Sequence, residues 1–209
     1  LAAIDEGSLN TDLCDYLLDI IPSYGLQRPA NISDPSYITL PKNKRTEKLK
    51  NTEDIKSILV TVGGEDPADL VVPASVSYAK LGYKVTAIVQ NPEASEKRVE
   101  PEILDKITFI KPVHNLREQL FNYDVVVTHY GFTAFEAVAA GCAVVLLGTT
   151  PLHVNLARKY GFKCLSAQNI NEIGAEFSLS DVNELYPEGH FARLSPEKND
   201  LGKFVRMLS

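Results

Sequence analysis

Residues 128–147 read THYGFTAFEAVAAGCAVVLL, and this stretch with the residues just before it decides the fold. The preceding segment, Tyr123–Val127 (YDVVV), is rich in β-branched residues, which favours a strand that is covered on both faces. We predict a helix over Thr133–Ala140 that ends at Gly141, followed by a second apolar strand over Ala143–Leu147. A buried strand, a helix and another buried strand are typical of a parallel sheet with right-handed crossovers.

The same alternation extends towards the N-terminus. We predict strands over Ile58–Val62, Lys84–Val89 and Ile107–Ile110, and a helix that Gly82 ends between the first two. On the other side of YDVVV, the segment LHVNLARKYG predicts a helix that Gly161 stops before the short strand KCL. These patterns predict an α/β fold, a Rossmann-like doubly wound parallel sheet with helices on both faces.

Three further segments are predicted with less regular patterns. A helix is expected from about Asn115 to Phe121, and another at the C-terminus, with Ser195 as its cap and Pro196 at its first position. Residues 1–50 show no repeating strand and helix pattern, but CDYLLDIIPSYG offers a strand and Tyr37–Leu40 a short one. We therefore treat residues 1–50 separately from a main domain over residues 51–209.

Composition excludes several classes of protein. The chain has 209 residues, 44% of them hydrophobic, and no apolar run approaches the roughly 20 residues of a membrane helix. Its net charge of -6 argues against nucleic acid as a partner. The three cysteines show no CxxC spacing and the four histidines no HxxxH spacing, so we expect reduced cysteines, a cytoplasmic location, no metal and no cofactor.

Three loops that follow predicted strands carry candidate binding residues, because ligands of doubly wound sheets bind beyond the carboxyl ends of the strands. The first, GGEDP, contains Gly63, Gly64 and Asp66, and its paired glycines let a ligand approach the backbone or simply form a tight turn. GxGxxG is absent, which argues against a nicotinamide-dependent enzyme.

The second loop, HYGFT, joins a buried strand to a helix that contains Glu136 about one turn from its start. A carboxylate there can stabilise the helix dipole or accept hydrogen bonds from a ribose diol. His129 fits a hydrogen-bonded loop residue better than a general base, because no nucleophile or orienting carboxylate stands beside it. The third loop, GTTPLHVNLA, offers Asn155, which fits a surface helix residue equally well.

Taken together, the order strand-GG-x-D-P, D-VVV-xxx-G-x-T-xx-E-A, G-x-AVVLL and P-xxx-N-x-A resembles the C-terminal domain of GT-B nucleotide-sugar glycosyltransferases. The likeness covers about residues 58–166, and GFTAFEA with GCAVVLL is its most specific part. It is nearest to the branch with the lipid II N-acetylglucosaminyltransferase and the UDP-sugar hydrolase of pseudaminic acid synthesis. Residues 1–50 resemble the crossover segment that links the two domains of the hydrolase-like members.

This resemblance implies roles for individual residues. Gly63 and Gly64 would line the diphosphate and acceptor side, the backbone near Val113 would meet the base, and Glu136 would hold the ribose hydroxyls. Amides at the start of the helix would meet the diphosphate. The full predicted substrate-binding set is Gly63, Gly64, Asp66, Val113, His129, Gly131, Phe132, Thr133, Glu136 and Asn155, and no catalytic residue is assigned.

Two positions depart from the family pattern. Glu65 stands where the family usually has Ser, and Leu152 where it usually has Gln. The resemblance implies a domain that binds a nucleotide sugar, with a UDP-sugar favoured, and that is inactive without an N-terminal domain of the same chain. Its pathway would be surface-polysaccharide or sialic-acid-like sugar synthesis. The alternative is a non-catalytic scaffolding or sensory module that kept the fold and lost its ligand.

Overall fold

The computed structural model describes residues 1–4, 9–21, 29–33, 37–63, 66, 68–166 and 182–187. Gly64, Glu65 and the helix predicted from Ser195 lie outside the described residues. Within those ranges, no helix is both long and apolar enough to cross a lipid bilayer.

The strands form two parallel sheets. A small sheet has the order β1-β2-β3, and a six-stranded sheet has the order β6-β5-β4-β7-β8-β9. The strands of the small sheet are β1 (Ala2–Ile4), β2 (Tyr16–Asp19) and β3 (Ile32–Ser33). Those of the large sheet are β4 (Ile58–Val60), β5 (Val85–Ile88), β6 (Ile107–Ile110), β7 (Val125–Thr128), β8 (Ala143–Gly148) and β9 (Lys163–Ser166).

Helices connect the strands of the large sheet. They are α1 (Val71–Lys80), α2 (Pro92–Glu96), α3 (Pro101–Leu104), α4 (Phe132–Ala139) and α5 (Pro151–Lys159). Short 3-10 helices cover Leu9–Leu13, Thr52–Asp54, Leu116–Asn122 and Val182–Leu185. The strand order reverses between β4 and β7, so the chain winds outward in both directions from this pair, which is the Rossmann-like arrangement that the sequence predicts.

The large sheet is covered on both faces, which explains its uniformly apolar strands. Along β7, Val125 and Val127 belong to the core with α1, whereas Val126 belongs to the core with α4. All three valines are fully buried. Burial of both faces removes the alternation of polar and apolar residues that a half-exposed strand shows.

Residues 37–50 pack against the large-sheet domain. The Arg45 guanidinium lies 2.6 Å from a carboxylate oxygen of Asp124, and the Arg45 amide donates to the Ala140 carbonyl at 2.8 Å. Asp124 also accepts the backbone amides of Lys56 and Ser57, at 2.8 and 2.9 Å. This network at the start of β7 attaches the segment before β4 to the sheet.

Three details differ from the sequence predictions. Tyr37–Leu40 is not a strand; Ile38 and Leu40 are apolar because they lie buried in the core beside α4. The helix predicted from Asn115 is the 3-10 helix Leu116–Asn122, which follows a left-handed residue, Asn115 at φ 58°. The sequence did not reveal α2 and α3, which have only five and four residues. The predicted strand in CDYLLDIIPSYG is confirmed as β2.

Candidate active-site crevice

The carboxyl ends of β4 and β7 lie side by side, and the loops after them form the candidate crevice. Val60 pairs with Val127 in register, so the loop from Thr61 to Gly63 runs beside the loop from His129 to Gly131. The sequence thus brings the first two predicted loops together at the point where the strand order reverses, where ligands of such sheets bind.

His129 fills the space between these two loops. A Cβ added at Gly63 would lie 3.1 Å from the imidazole Cε1, and one added at Gly131 would lie 3.4 Å from its Nε2. Gly63 has φ +88°, a left-handed conformation that glycine adopts without strain. The ring is hydrogen-bonded to the Val62 carbonyl, and burial lowers the pKa of His129. His129 is therefore a half-buried imidazole that holds the two glycine loops together.

The helices that follow β4, β7 and β8 begin at this edge of the sheet, and these three differ in what covers their first amides. Asp66 accepts the amides of Leu70 and Val71 at the start of α1, at 2.8 and 2.9 Å. The Thr150 hydroxyl accepts the His153 amide at the start of α5, at 3.2 Å.

The third helix, α4, begins at Phe132 after Gly131 as its N-cap residue, and Gly131 has no side chain to cap it. Of the three, only α4 presents first-turn amides without a capping side chain from the described residues. Free amides at a helix N-terminus attract anions, because the helix dipole adds to their hydrogen-bonding capacity.

Glu136 lies one turn into α4 with its side chain 17% exposed. Arg117 places Nη1 3.9 Å from the Glu136 carboxylate, too far for a hydrogen bond, while its Nε lies 3.3 Å from Glu118. Burial raises the pKa of Glu136, Arg117 opposes that rise and Glu118 adds to it. No donor among the described residues hydrogen-bonds to this carboxylate, so its oxygens are available to a ligand.

The other residues predicted for this region fall around α4. Phe132, the first residue of α4, is 44% exposed, and Thr133 is half-buried beside it. Val113 is half-buried in the loop after β6, three residues before the 3-10 helix that carries Arg117. That 3-10 helix packs on α4, which brings the loop after β6 towards Glu136.

Asn155 lies elsewhere. It is exposed and lines a cavity of about 330 Å³ with Thr150, Arg158 and Ser166, on the side of α5 that faces the end of β9. Neither His129 nor Glu136 lines that cavity. Asp66 and Gly63 line a second cleft of about 310 Å³ between α1 and α2, which Arg98 and Asp69 border with a two-point ion pair at 2.9 and 2.5 Å.

Sequence reasoning did not select two residues that the structure places at the crevice. Arg117 was missed because its partner, Glu136, is 19 positions away and only the fold brings them together. His153 was missed because it has no ligand-like spacing to another histidine. Its Nδ1 lies 2.8 Å from the Thr149 hydroxyl, and it is near enough to His129 to depress the pKa of that ring.

Metal ligation has no support in the part of the chain that the structure describes. No group of three or more histidine, cysteine, aspartate or glutamate side chains there could hold a metal ion. The crevice instead offers helix amides, one carboxylate that accepts no hydrogen bond from the described residues and two imidazoles, which are suited to a ligand that carries both phosphate and hydroxyl groups.

Comparison with known proteins gives matches only at the level of structure. No protein-family model matches the sequence, and no curated protein does. MurG from Acinetobacter baumannii aligns with 94% of this chain and 60% of its own at 14% identity, with a TM-score of 0.56. TarM aligns with 95% of this chain and 43% of its own at 14% identity, with a TM-score of 0.59.

A third structure, a putative UDP-N-acetylglucosamine 2-epimerase from Listeria monocytogenes, aligns at 16% identity with a TM-score of 0.53, covering 85% of this chain and 56% of its own. MurG and TarM are GT-B glycosyltransferases. The large sheet with its helices has the Rossmann-like fold of these GT-B neighbours. The predicted Rossmann-like parallel sheet is thereby confirmed, and the chain spans between 43% and 60% of the length of these three neighbours.

Proposed function

We propose that the crevice between β4 and β7 binds a nucleotide sugar, with a UDP-sugar as the favoured ligand. The observation that carries the proposal is an uncapped helix start at α4 together with a mostly buried carboxylate one turn further on, Glu136, which accepts no hydrogen bond from the described residues. An anion and a diol that are held a short distance apart in one molecule match this pair of features.

The diphosphate would meet the amides at the start of α4. Gly131 adds no side chain beside these amides, and Phe132 and Thr133 supply the first N–H groups. Four residues of α-helix rise about 6 Å, so the Glu136 backbone lies about one turn deeper than the first amide, and its side chain tilts back towards the helix start. The 5′ phosphate and the ribose of a nucleotide are neighbouring groups, and they would fit this spacing.

Glu136 would accept hydrogen bonds from both ribose hydroxyls. Charge-assisted hydrogen bonds contribute about 1.5–3 kcal/mol each when the acceptor is ionised. Arg117 at 3.9 Å favours the ionised form without occupying the carboxylate oxygens. The base would then lie towards the loop that contains Val113.

The α1 start contributes less than the resemblance implies. Because the Asp66 carboxylate already accepts the Leu70 and Val71 amides, a phosphate there would have to displace an internal anion. We therefore assign phosphate binding to the start of α4. At the Gly63 loop we assign only a close approach of the ligand to the backbone.

The whole protein would be a glycosyltransferase or a UDP-sugar hydrolase, nearest to the MurG-like and pseudaminic-pathway branch, in surface-polysaccharide or sialic-acid-like sugar synthesis. The likeness to MurG and to an epimerase named for UDP-N-acetylglucosamine supports the UDP assignment. An N-terminal domain of the same chain would supply the acceptor site, and residues 1–50 would form the crossover to it. This domain binds and orients the donor and is inactive alone.

A non-catalytic module is the second candidate, and two observations favour it. Asp66 occupies the α1 amides, and the Leu152 side chain, 40% exposed at the start of α5, cannot hydrogen-bond to a sugar. A module of this kind would keep the fold of the crevice without affinity for nucleotides.

Calorimetric titration of the 209-residue chain separates the two candidates. We expect saturable binding of both UDP and UDP-N-acetylglucosamine at one site, and no binding of NADH. Uridine, which lacks the phosphates, should bind much more weakly than UDP. If neither UDP nor UDP-N-acetylglucosamine binds, the nucleotide-sugar proposal is rejected in favour of the non-catalytic module.

A further inference from the structure

His129 and His153 lie beyond the carboxyl ends of neighbouring strands. Thr128 pairs with Leu146, so β7 and β8 run in register; His129 directly follows β7, and His153 is the third residue of α5, the helix that follows β8. The Thr149 hydroxyl, 2.8 Å from Nδ1, fixes the His153 ring, while the Val62 carbonyl and the two glycines fix the His129 ring. Both imidazoles are therefore oriented before any ligand binds.

The described charged groups around this pair of histidines would neutralise little of the negative charge of a diphosphate. Within the described residues, the titratable groups that act on His129 are Asp66, from the loop after β4, and His153 itself. The nearby arginines are engaged: Arg117 lies against Glu118 and Glu136, and Arg98 is paired with Asp69. Arg158, on α5 with His153, is exposed and lines the cavity on the other side of the helix.

We infer that His153 is a second imidazole of the phosphate site, and that binding of a nucleotide diphosphate draws a proton from solvent onto the His129–His153 pair. This inference rests on the proposed function, because it needs the diphosphate at the start of α4. The proton adds to a ring nitrogen, no other bond changes, and the net charge of the complex rises by one.

The direction of the pH dependence follows from the pKa values of the two imidazoles in the ligand-free protein. Burial holds the pKa of both His129 and His153 below the usual 6.5, so both rings are neutral in the ligand-free protein at neutral pH. A bound diphosphate raises the pKa of the nearer ring. Affinity therefore increases as pH falls through the pKa of the complex, and it levels off below the pKa of the free ring.

UDP-N-acetylglucosamine is the suitable probe, because its diphosphate is esterified at both ends and does not titrate in this range, unlike the terminal phosphate of UDP. We expect its affinity to increase at least threefold from about pH 8 to about pH 6, against a limit of tenfold per pH unit for one proton. Calorimetry in two buffers of different ionisation enthalpy should report net proton uptake by the complex.

Matched variants assign the proton. His153→Gln and His129→Gln should each reduce the pH dependence and the proton uptake, whereas His114→Gln, at an exposed histidine away from the pair, should keep both. A flat affinity from about pH 8 to about pH 6 with no buffer-dependent enthalpy would overturn the inference and leave the proposed function intact. Absence of binding at every pH would overturn the proposed function and the inference together.

Discussion

Burial of the Glu136 carboxylate reduces the stability of the folded protein, and the same carboxylate is proposed to bind the ribose of the ligand. Its carboxylate is mostly buried and accepts no hydrogen bond from the described residues, and Arg117 at 3.9 Å compensates its charge only in part. Residues that break a local rule of this kind tend to mark functional sites. Substitution of Glu136 should therefore change both the free energy of unfolding and the affinity for ligand.

The stability measurement uses Glu136→Gln. Because burial raises the folded-state pKa of Glu136 above 4.5, folding favours the protonated form, and the parent loses stability as pH rises from about that value through the folded pKa. Glutamine does not titrate. Urea unfolding should give the variant a greater advantage over the parent at about pH 7 than at about pH 4, and an equal difference at both would show that the carboxylate is not strained by burial.

The binding measurement uses Glu136→Ala. Removal of the acceptor should weaken UDP binding about tenfold or more, since one charge-assisted hydrogen bond exceeds the 1.4 kcal/mol that corresponds to tenfold. A 2′,3′-dideoxy analogue of UDP is the control, and it should bind parent and variant alike. Equal UDP affinity in the two proteins would rule out the ribose role.

Gly131→Val tests the space above the α4 amides. Gly131 has φ 174°, an extended conformation that any residue adopts, so valine causes no backbone strain. Its side chain would instead press on the His129 ring, 3.4 Å from the added Cβ, and cover the first amides of the helix. We expect UDP affinity to fall while the thermal midpoint changes little; a collapse of the midpoint would identify the glycine as structural.

At the scale of elements, the sequence predicted those with strong periodicity or a clear stop. The strands β4 to β9 are apolar runs between polar loops, and Gly141 ends α4 because its φ of +79° and the Arg45 carbonyl, 3.1 Å from an added Cβ, leave no room for a side chain. Elements of four or five residues, α2 and α3, are too short to show a helical period.

The crevice was predictable only in part. Patterns in the sequence pointed to the α4 start and Glu136, since both lie in one short stretch. The contacts of Arg117, the Asp66 cap and the placement of Asn155 depend on which loops meet in three dimensions, and spacing along the chain carries no such information. The assigned roles in ligand binding stay predictions.

Gly148, at the end of β8, provides a test of how α5 packs on the sheet. An added Cβ would overlap Cγ2 of Val154 and lie 3.1 Å from the sulfur of Cys164. Gly148→Ala should therefore cost about 1–3 kcal/mol of unfolding free energy, and less in a Val154→Ala background, because the overlap is then removed.

Gly82→Ala is the matched control for this cycle. Its added Cβ meets nothing within 4 Å, and its cost comes only from the left-handed φ of +100°. That cost should be the same with and without Val154→Ala. Additive costs for Gly148→Ala and Val154→Ala in urea unfolding would contradict the packing of α5 described here.

At the scale of the whole molecule, one edge of the large sheet gathers the features that matter for function. The loops after β4, β7 and β8 meet there, and α4 alone among their helices begins without a side-chain cap. The opposite edge holds the Arg45–Asp124 network, which fixes the segment before β4. Binding and structural attachment are thus separated across the sheet.

Backbone amide resonances followed during titration with UDP test the proposed phosphate site at the start of α4 directly. If the α4 start is the phosphate site, the largest shifts should fall on the amides of Gly131, Phe132 and Thr133. The Leu70 and Val71 amides, held by Asp66, and the His153 amide, held by Thr150, should shift less. Largest shifts at the start of α1 or α5, or no shifts at saturating UDP, would contradict the account.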